Sequence, residues 1–202
     1  MVQAPPQPQS LLLELPDTLT LQVTQAQFIA LVAANRDLRL ERTATGELIV
    51  NPPTGGETGK RNAKISTQLG VWGDANESLG EYFDSSTGFE LPNGANRSPD
   101  ASWVRRERWE ALTPEQREGI IPLCPDFVME LRSKTDTLKK LQAKMQEYID
   151  NGAQLGWLID RKNKRVEIYR TGQAVEVLEQ PSTLSGEEVL PGFTLTLTRI
   201  WA

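Results

Sequence analysis

Asp126-Phe-Val-Met-Glu-Leu131 is the stretch on which the reading of this chain turns. Its apolar residues mark a short strand buried at the centre of a sheet. With the two-residue period of a strand, Phe127, Met129 and Leu131 face one way, and Asp126, Val128, Glu130 and Arg132 face the other. A carboxylate at the end of an otherwise apolar strand costs free energy unless it is paired or binds a cation. Glu130 therefore needs a partner. Arg132, two residues on and on the same face, is one answer; a metal ion shared with a second carboxylate is the other.

The second carboxylate is Asp100, directly after Pro99 and at the head of Ala101-Ser-Trp-Val104, which also reads as a strand. A turn or cap role would suit Asp100 by itself. If the two strands are neighbours, however, the two acids come within about 5–8 Å, because strands lie about 4.8 Å apart. Carboxylates that close repel unless a divalent cation lies between them. Mg²⁺ (or Mn²⁺) suits hard oxygen ligands and keeps waters that can act as nucleophiles. From Asp136 a helix runs to a stop at Asn151-Gly152. Leu138, Leu141, Met145, Tyr148 and Ile149 form its apolar stripe. Lys144 lies on the margin of that stripe and can lean back toward the carboxylates, as helical side chains tilt toward the N-terminus; as a surface lysine it would instead cover apolar area with its stem.

Working outward, Thr24 caps a helix to Asn35 with Phe28, Leu31 and Val32 on one face. Leu38–Thr43 and Glu47–Val50 make a hairpin. Pro52–Gly59 is a loop, and a helix follows over Lys60–Glu77 with Ile65, Leu69 and Trp72 at helical spacing. Strands are expected at Gly80–Phe83, Thr87–Leu91 and Pro99–Val104, with a turn at Pro92-Asn-Gly94. Arg105–Pro125 is an excursion containing a short helix at Thr113-Pro-Glu-Gln116. After the helix from Asp136 come strands at Leu155–Asp160, Arg165–Tyr169 and Ala174–Leu178, and a further strand in the tail from Leu190 to Trp201. With no internal repeat, this is an α/β chain with a mixed sheet, one domain over 16–202 after a disordered Pro/Gln-rich lead-in at 1–15.

Composition excludes several chemistries. The chain of 202 residues has no histidine, which removes Ser-His-Asp and Cys-His catalysis, His-ligated zinc and any histidine pH switch. Its one cysteine, Cys124, cannot form an internal disulfide and reads as a small buried apolar residue in a reducing compartment. No stretch approaches the ~20 apolar residues of a membrane helix, and the N-terminus lacks the pattern of a signal peptide, so the expected location is cytoplasmic. A net charge of −5 argues against a nucleic-acid coat protein and leaves room for a local basic patch. Arg132, Lys134, Lys139, Lys140 and Lys144 set against Asp136 and Glu147 give +3 locally, and Arg105, Arg106 and Arg108 form a second group. These read either as solvated faces or as a nucleic-acid path.

Thr54-Gly-Gly-Glu-Thr-Gly-Lys-Arg61 fails as a phosphate-binding loop, because Thr54 replaces its first Gly and Arg61 its hydroxyl residue. Glu57 and Asn62 start the helix that would edge the site and are supporting candidates. Glu41, on the hairpin, could reach the same cleft, but pairing with Arg39 or Arg42 is the favoured expectation.

Ser98-Pro-Asp-Ala-Ser102, Cys124–Ser133, Lys144-Met-Gln-Glu-Tyr148 and Gly152–Asp160 together resemble the bacterial Uma family of restriction endonucleases, a likeness that runs from the hairpin to Trp201. The resemblance implies a restriction-endonuclease-like core of the PD-(D/E)xK superfamily: a central mixed β-sheet flanked by helices, with a metal held by an Asp, a Glu and a main-chain carbonyl. On that pattern Asp100 and Glu130 are the acids and Leu131 lends its carbonyl. The lysine belongs two residues after the Glu, where this chain has Arg132. An arginine stays charged and cannot take a proton, though it can stabilise a transition state. Lys144 matches the family's lysine on the following helix. The implied function is Mg²⁺-dependent hydrolysis of DNA or another nucleic acid, by a weakly held homodimer. The alternative is a catalytically inactive binding or structural module on the same fold.

Overall fold

The computed structural model describes residues 19–202; the lead-in expected at 1–15 lies outside the described residues. The chain forms β1 (Arg39–Arg42), β2 (Leu48–Asn51), β3 (Gly80–Asp84), β4 (Phe89–Glu90), β5 (Asn96–Arg97), β6 (Ala101–Arg105), β7 (Phe127–Leu131), β8 (Leu155–Asp160), β9 (Arg165–Arg170), β10 (Glu176–Glu179), β11 (Thr183–Ser185) and β12 (Thr194–Thr196). The helices are α1 (Gln25–Ala34), α2 (Gly56–Ala75), α3 (Arg106–Glu110), α4 (Pro114–Glu118), α5 (Leu138–Asp150) and α6 (Thr198–Trp201).

The main sheet has the order β10-β9-β8-β7-β6-β3, and its one parallel pair is β7–β8. That pair needs a crossover, and α5 supplies it. As the alternation predicts, Phe127, Met129 and Leu131 enter a core with Ile65 and Leu69 of α2 and the Leu184–Ile200 segment. Val128 enters the opposite core with Met145, Tyr148 and Ile149 of α5. Helices thus cover both faces of a mixed sheet. At its edge, Gly80 lies against β6 so closely that a Cβ would stand 2.2 Å from the Val104 carbonyl oxygen, so only glycine fits.

Local capping chemistry is as read. Thr24 and Gln27 form a reciprocal capping box, as do Thr113 and Gln116 with Pro114 in the first turn. Three details differ. First, α2 begins at Gly56 rather than Lys60, because Glu57 suits the positive helix start and Arg61 ties the first turn to the Ile200 and Ala202 carbonyls. Second, the tail holds only the short β12, paired with β11, and then turns into α6. Third, β5 pairs with both β1 and β4, building a small sheet of order β2-β1-β5-β4. Two polar residues carry no strand signal of their own. This small sheet decides the site, because β5 runs through Ser98 and Pro99 straight into β6 and so delivers β1 beside Asp100.

Candidate active site

The antiparallel register pairs Ala101 with Met129, so one step further along the ladder Asp100 stands across from Glu130. Both are buried. The N–H of Leu131 donates to Asp100 Oδ2 (2.9 Å) and Asn62, from the second turn of α2, donates to Oδ1 (3.1 Å). Lys144 reaches in from α5, with its Nζ 2.8 Å from Glu130 Oε1. Tyr148, one helical turn on and on the same face of α5, donates its hydroxyl to the same oxygen (3.2 Å). Tyr148 was legible only as part of the apolar stripe; its position four residues after Lys144 was the signal for a second role.

Glu41 corrects the expectation that it pairs with Arg39 or Arg42. It is buried in the cleft, accepting from Lys144 Nζ (2.9 Å), Arg97 Nη1 (3.3 Å) and the Ser98 N–H (3.2 Å). Arg97 in turn donates from Nε to Glu147 (2.6 Å). A chain of alternating charge, Glu147–Arg97–Glu41–Lys144–Glu130, thus ends at the paired acids. Arg42 is held elsewhere, by the Val23 and Gly94 carbonyls. The sequence reading missed Arg97, which nothing marked before β5 was seen to pair with β1.

The structure also overturns the pairing of Arg132 with Glu130. Arg132 shares no bond with Glu130; its Nη1 binds Asp160 at 2.6 Å and its Nε the Asp136 carbonyl, so its charge is committed to the neighbouring strand. Glu57 lies outside the site, exposed and paired with Lys60 and Arg61. Arg105 and Arg106 sit at the far end of β6, about 17 Å from Asp100 at about 3.3 Å per residue. There Arg106 pairs with Glu81, Arg105 donates to Gln154, and Arg108 pairs with Asp126. Lys134, Lys139 and Lys140 are exposed at the Glu130 end, after β7 and in the first turn of α5.

Electrostatics follow from this crowding. Burial raises Asp100 above its ordinary value, partly offset by the Leu131 N–H and Lys144. Burial pushes Glu130 up to about 7; Lys144 pulls it back, while Asp100 and Glu41 add to the rise. Glu41 is held low because Lys144 and Arg97 outweigh its burial. Burial would lower Lys144, but Glu130 and Glu41 prevail and keep it an ammonium. Cys124 is buried, its thiol pushed up to about 12 by desolvation, and is inert as expected.

Among the described residues, no group of three or more His, Cys, Asp or Glu side chains is arranged to hold a metal. What the site offers is a hard-oxygen set: Asp100, Glu130, whose Oε2 accepts no hydrogen bond among the described residues, and the buried Asn62 Oδ1, which has no partner. Such a donor set fits Mg²⁺ or Mn²⁺ and not a soft or imidazole-seeking metal.

A mixed sheet between helices, with an Asp and a Glu facing each other on adjoining strands and a lysine from the crossover helix, is a restriction-endonuclease-like architecture. The chain belongs to the Uma2 family, described as "Putative restriction endonuclease", whose model matches residues 25–198. In three dimensions it is similar to a crystal structure described as a putative nuclease belonging to DUF820 from Anabaena variabilis ATCC 29413, with TM-score 0.66 and 20% identity over 80% of this chain and 89% of that one. Likeness at that identity establishes a common fold. No curated protein matches the chain. Among the described residues, no helix is long and apolar enough to cross a membrane.

Proposed function

We propose that this chain is a divalent-metal-dependent endonuclease that hydrolyses phosphodiester bonds, with DNA as its substrate. The register that sets Asp100 across from Glu130, with Lys144 2.8 Å from the latter, carries this reading. Asp100, Glu130 and the Leu131 carbonyl would hold Mg²⁺ or Mn²⁺, which when bound would supply an activated water and neutralise phosphate charge. Asn62 and the Leu131 N–H fix the orientation of Asp100. Lys144, kept charged by Glu41 and Glu130, is no general base; its ammonium stabilises the negative charge that develops at phosphorus. Arg132 supports the site through Asp160 rather than through the reacting atoms. The exposed Lys134, Lys139 and Lys140 supply a backbone-binding surface on the same side. Cleavage of both strands calls for two such sites, so we propose a weakly held homodimer, which light scattering at assay concentration tests.

The deciding experiment incubates supercoiled plasmid with the protein and Mg²⁺ or Mn²⁺. Nicked and linear products are expected, and Asp100→Ala and Glu130→Ala are expected to abolish them. Activity unchanged in both variants excludes this site. A non-catalytic module on the same fold is the second reading, favoured by the commitment of Arg132 to Asp160. It requires that calorimetry detect no Mn²⁺ binding that depends on Asp100 and Glu130.

A further inference from the structure

Arg39 stands apart from the other arginines around the cleft. Arg42, Arg61, Arg97 and Arg132 each donate two or more hydrogen bonds to carbonyl or carboxylate groups. The side chain of Arg39 donates none among the described residues, and its Nε is buried without a partner. Its nearest charge is Asp100 Oδ1, 3.9 Å from Nη2, at the limit of an ion pair. Asp100 already accepts from Asn62 and Leu131, so Arg39 is not needed to satisfy it. The side chain is 35% exposed, so solvent reaches the guanidinium at the mouth of the cleft.

Its position is a consequence of strand geometry. Arg39 and Glu41 are two residues apart on β1 and project from the same face. The pairing of β1 with β5 that drives Glu41 into the charge chain therefore also hangs Arg39 over Asp100. A buried donor without an acceptor is unfavourable, and a guanidinium fork matches the two non-bridging oxygens of a phosphate. We propose that Arg39 binds the substrate backbone, donating to a phosphodiester at or next to the bond that is cut. The inference rests on the nuclease reading, deepens it by naming a substrate-contacting residue, and places the phosphate between Arg39 and the acid pair.

Fluorescence anisotropy with a labelled oligonucleotide, single-stranded and duplex, tests this in EDTA and again with Ca²⁺. Arg39→Ala should weaken binding about tenfold, the value of one charge-assisted contact. It should also lower the slope of log K against log salt by about 0.7–0.9, one phosphate's share. Mn²⁺ affinity by calorimetry and the melting temperature should stay at wild-type values. Arg39→Lys should keep the salt slope yet bind more weakly than wild type, because an ammonium is not a fork. Arg39→Ala binding within twofold of wild type with the same slope overturns the proposal. So does a parallel loss of Mn²⁺ affinity, which would make Arg39 a mere support of Asp100. If the wild type itself binds neither oligonucleotide, it is the nuclease reading that fails, and this inference falls with it.

Discussion

Replacing Glu130 by Gln keeps the shape of the side chain and removes its charge. In the wild type, burial and the neighbouring Asp100 and Glu41 lift this carboxyl from 4.5 to about 7, despite the Lys144 ammonium in contact with it. Between those two values the folded chain holds a proton at Glu130 that the unfolded chain has released. Stability must therefore fall as pH rises through that window. At about 1.36 kcal/mol per pH unit, keeping Glu130 ionised costs the fold roughly 3 kcal/mol above pH 7, of which about 2.5 kcal/mol develops between pH 5 and pH 8. Glu130→Gln has no such proton to release. Urea denaturation at pH 5, 6, 7 and 8 should show the variant gaining about 2.5 kcal/mol on the wild type across the series. The attraction of Lys144 acts on the ionised carboxylate and is already contained in the value of about 7, so it needs no separate allowance in the difference. On the proposed metal reading, Mg²⁺ would compete with that same proton, so its stabilisation of the wild type should grow with pH and be weakened in the variant. Parallel pH profiles for the two proteins would refute the argument, because they would mean that burial imposes no cost on this carboxylate.

Three further outcomes follow from the packing. Lys144→Met leaves Glu130 and Glu41 buried without their shared cation and should cost about 3–5 kcal/mol in urea denaturation at pH 7 while abolishing plasmid cleavage. Arg132→Ala strands the buried Asp160 and should cost about 1–3 kcal/mol, yet cleavage by the folded variant should stay within about tenfold of wild type; a thousandfold loss would return Arg132 to the reacting centre. Gly80→Ala sets a Cβ 2.2 Å from a main-chain oxygen of β6, which cannot yield without parting the edge strand, and calorimetry should register a loss of about 3 kcal/mol or more.

Much of the architecture was legible in short stretches of sequence. The alternation in Asp126–Leu131 put Glu130 on the face opposite Met129, the Thr24 and Thr113 boxes set helix starts, and the stripe of α5 predicted which side of it is buried. These are effects of neighbours within about one helical turn or one pleat, and the local order of residues is enough to set them. Glu130 was legible for the same reason, as a charge on an otherwise apolar strand. Asp100, at the head of a strand, and Lys144, on the margin of the stripe, were singled out with the help of the family resemblance. Which charges meet was not legible. Lys144 and Glu41 are 103 residues apart, Arg97 and Glu41 are 56 apart, and Asn62 and Asp100 are 38 apart. Two of the acids had a plausible partner close by in sequence: Glu41 had Arg39 and Arg42, and Glu130 had Arg132. The tertiary structure overrode those local pairs because β5 joins β1 to β6 and crowds buried carboxylates around one lysine, while Asp160 on β8 draws Arg132 away. A charge at a surface can take any neighbour at little cost, but a buried one must take whichever counter-charge the converging strands bring within about 3 Å.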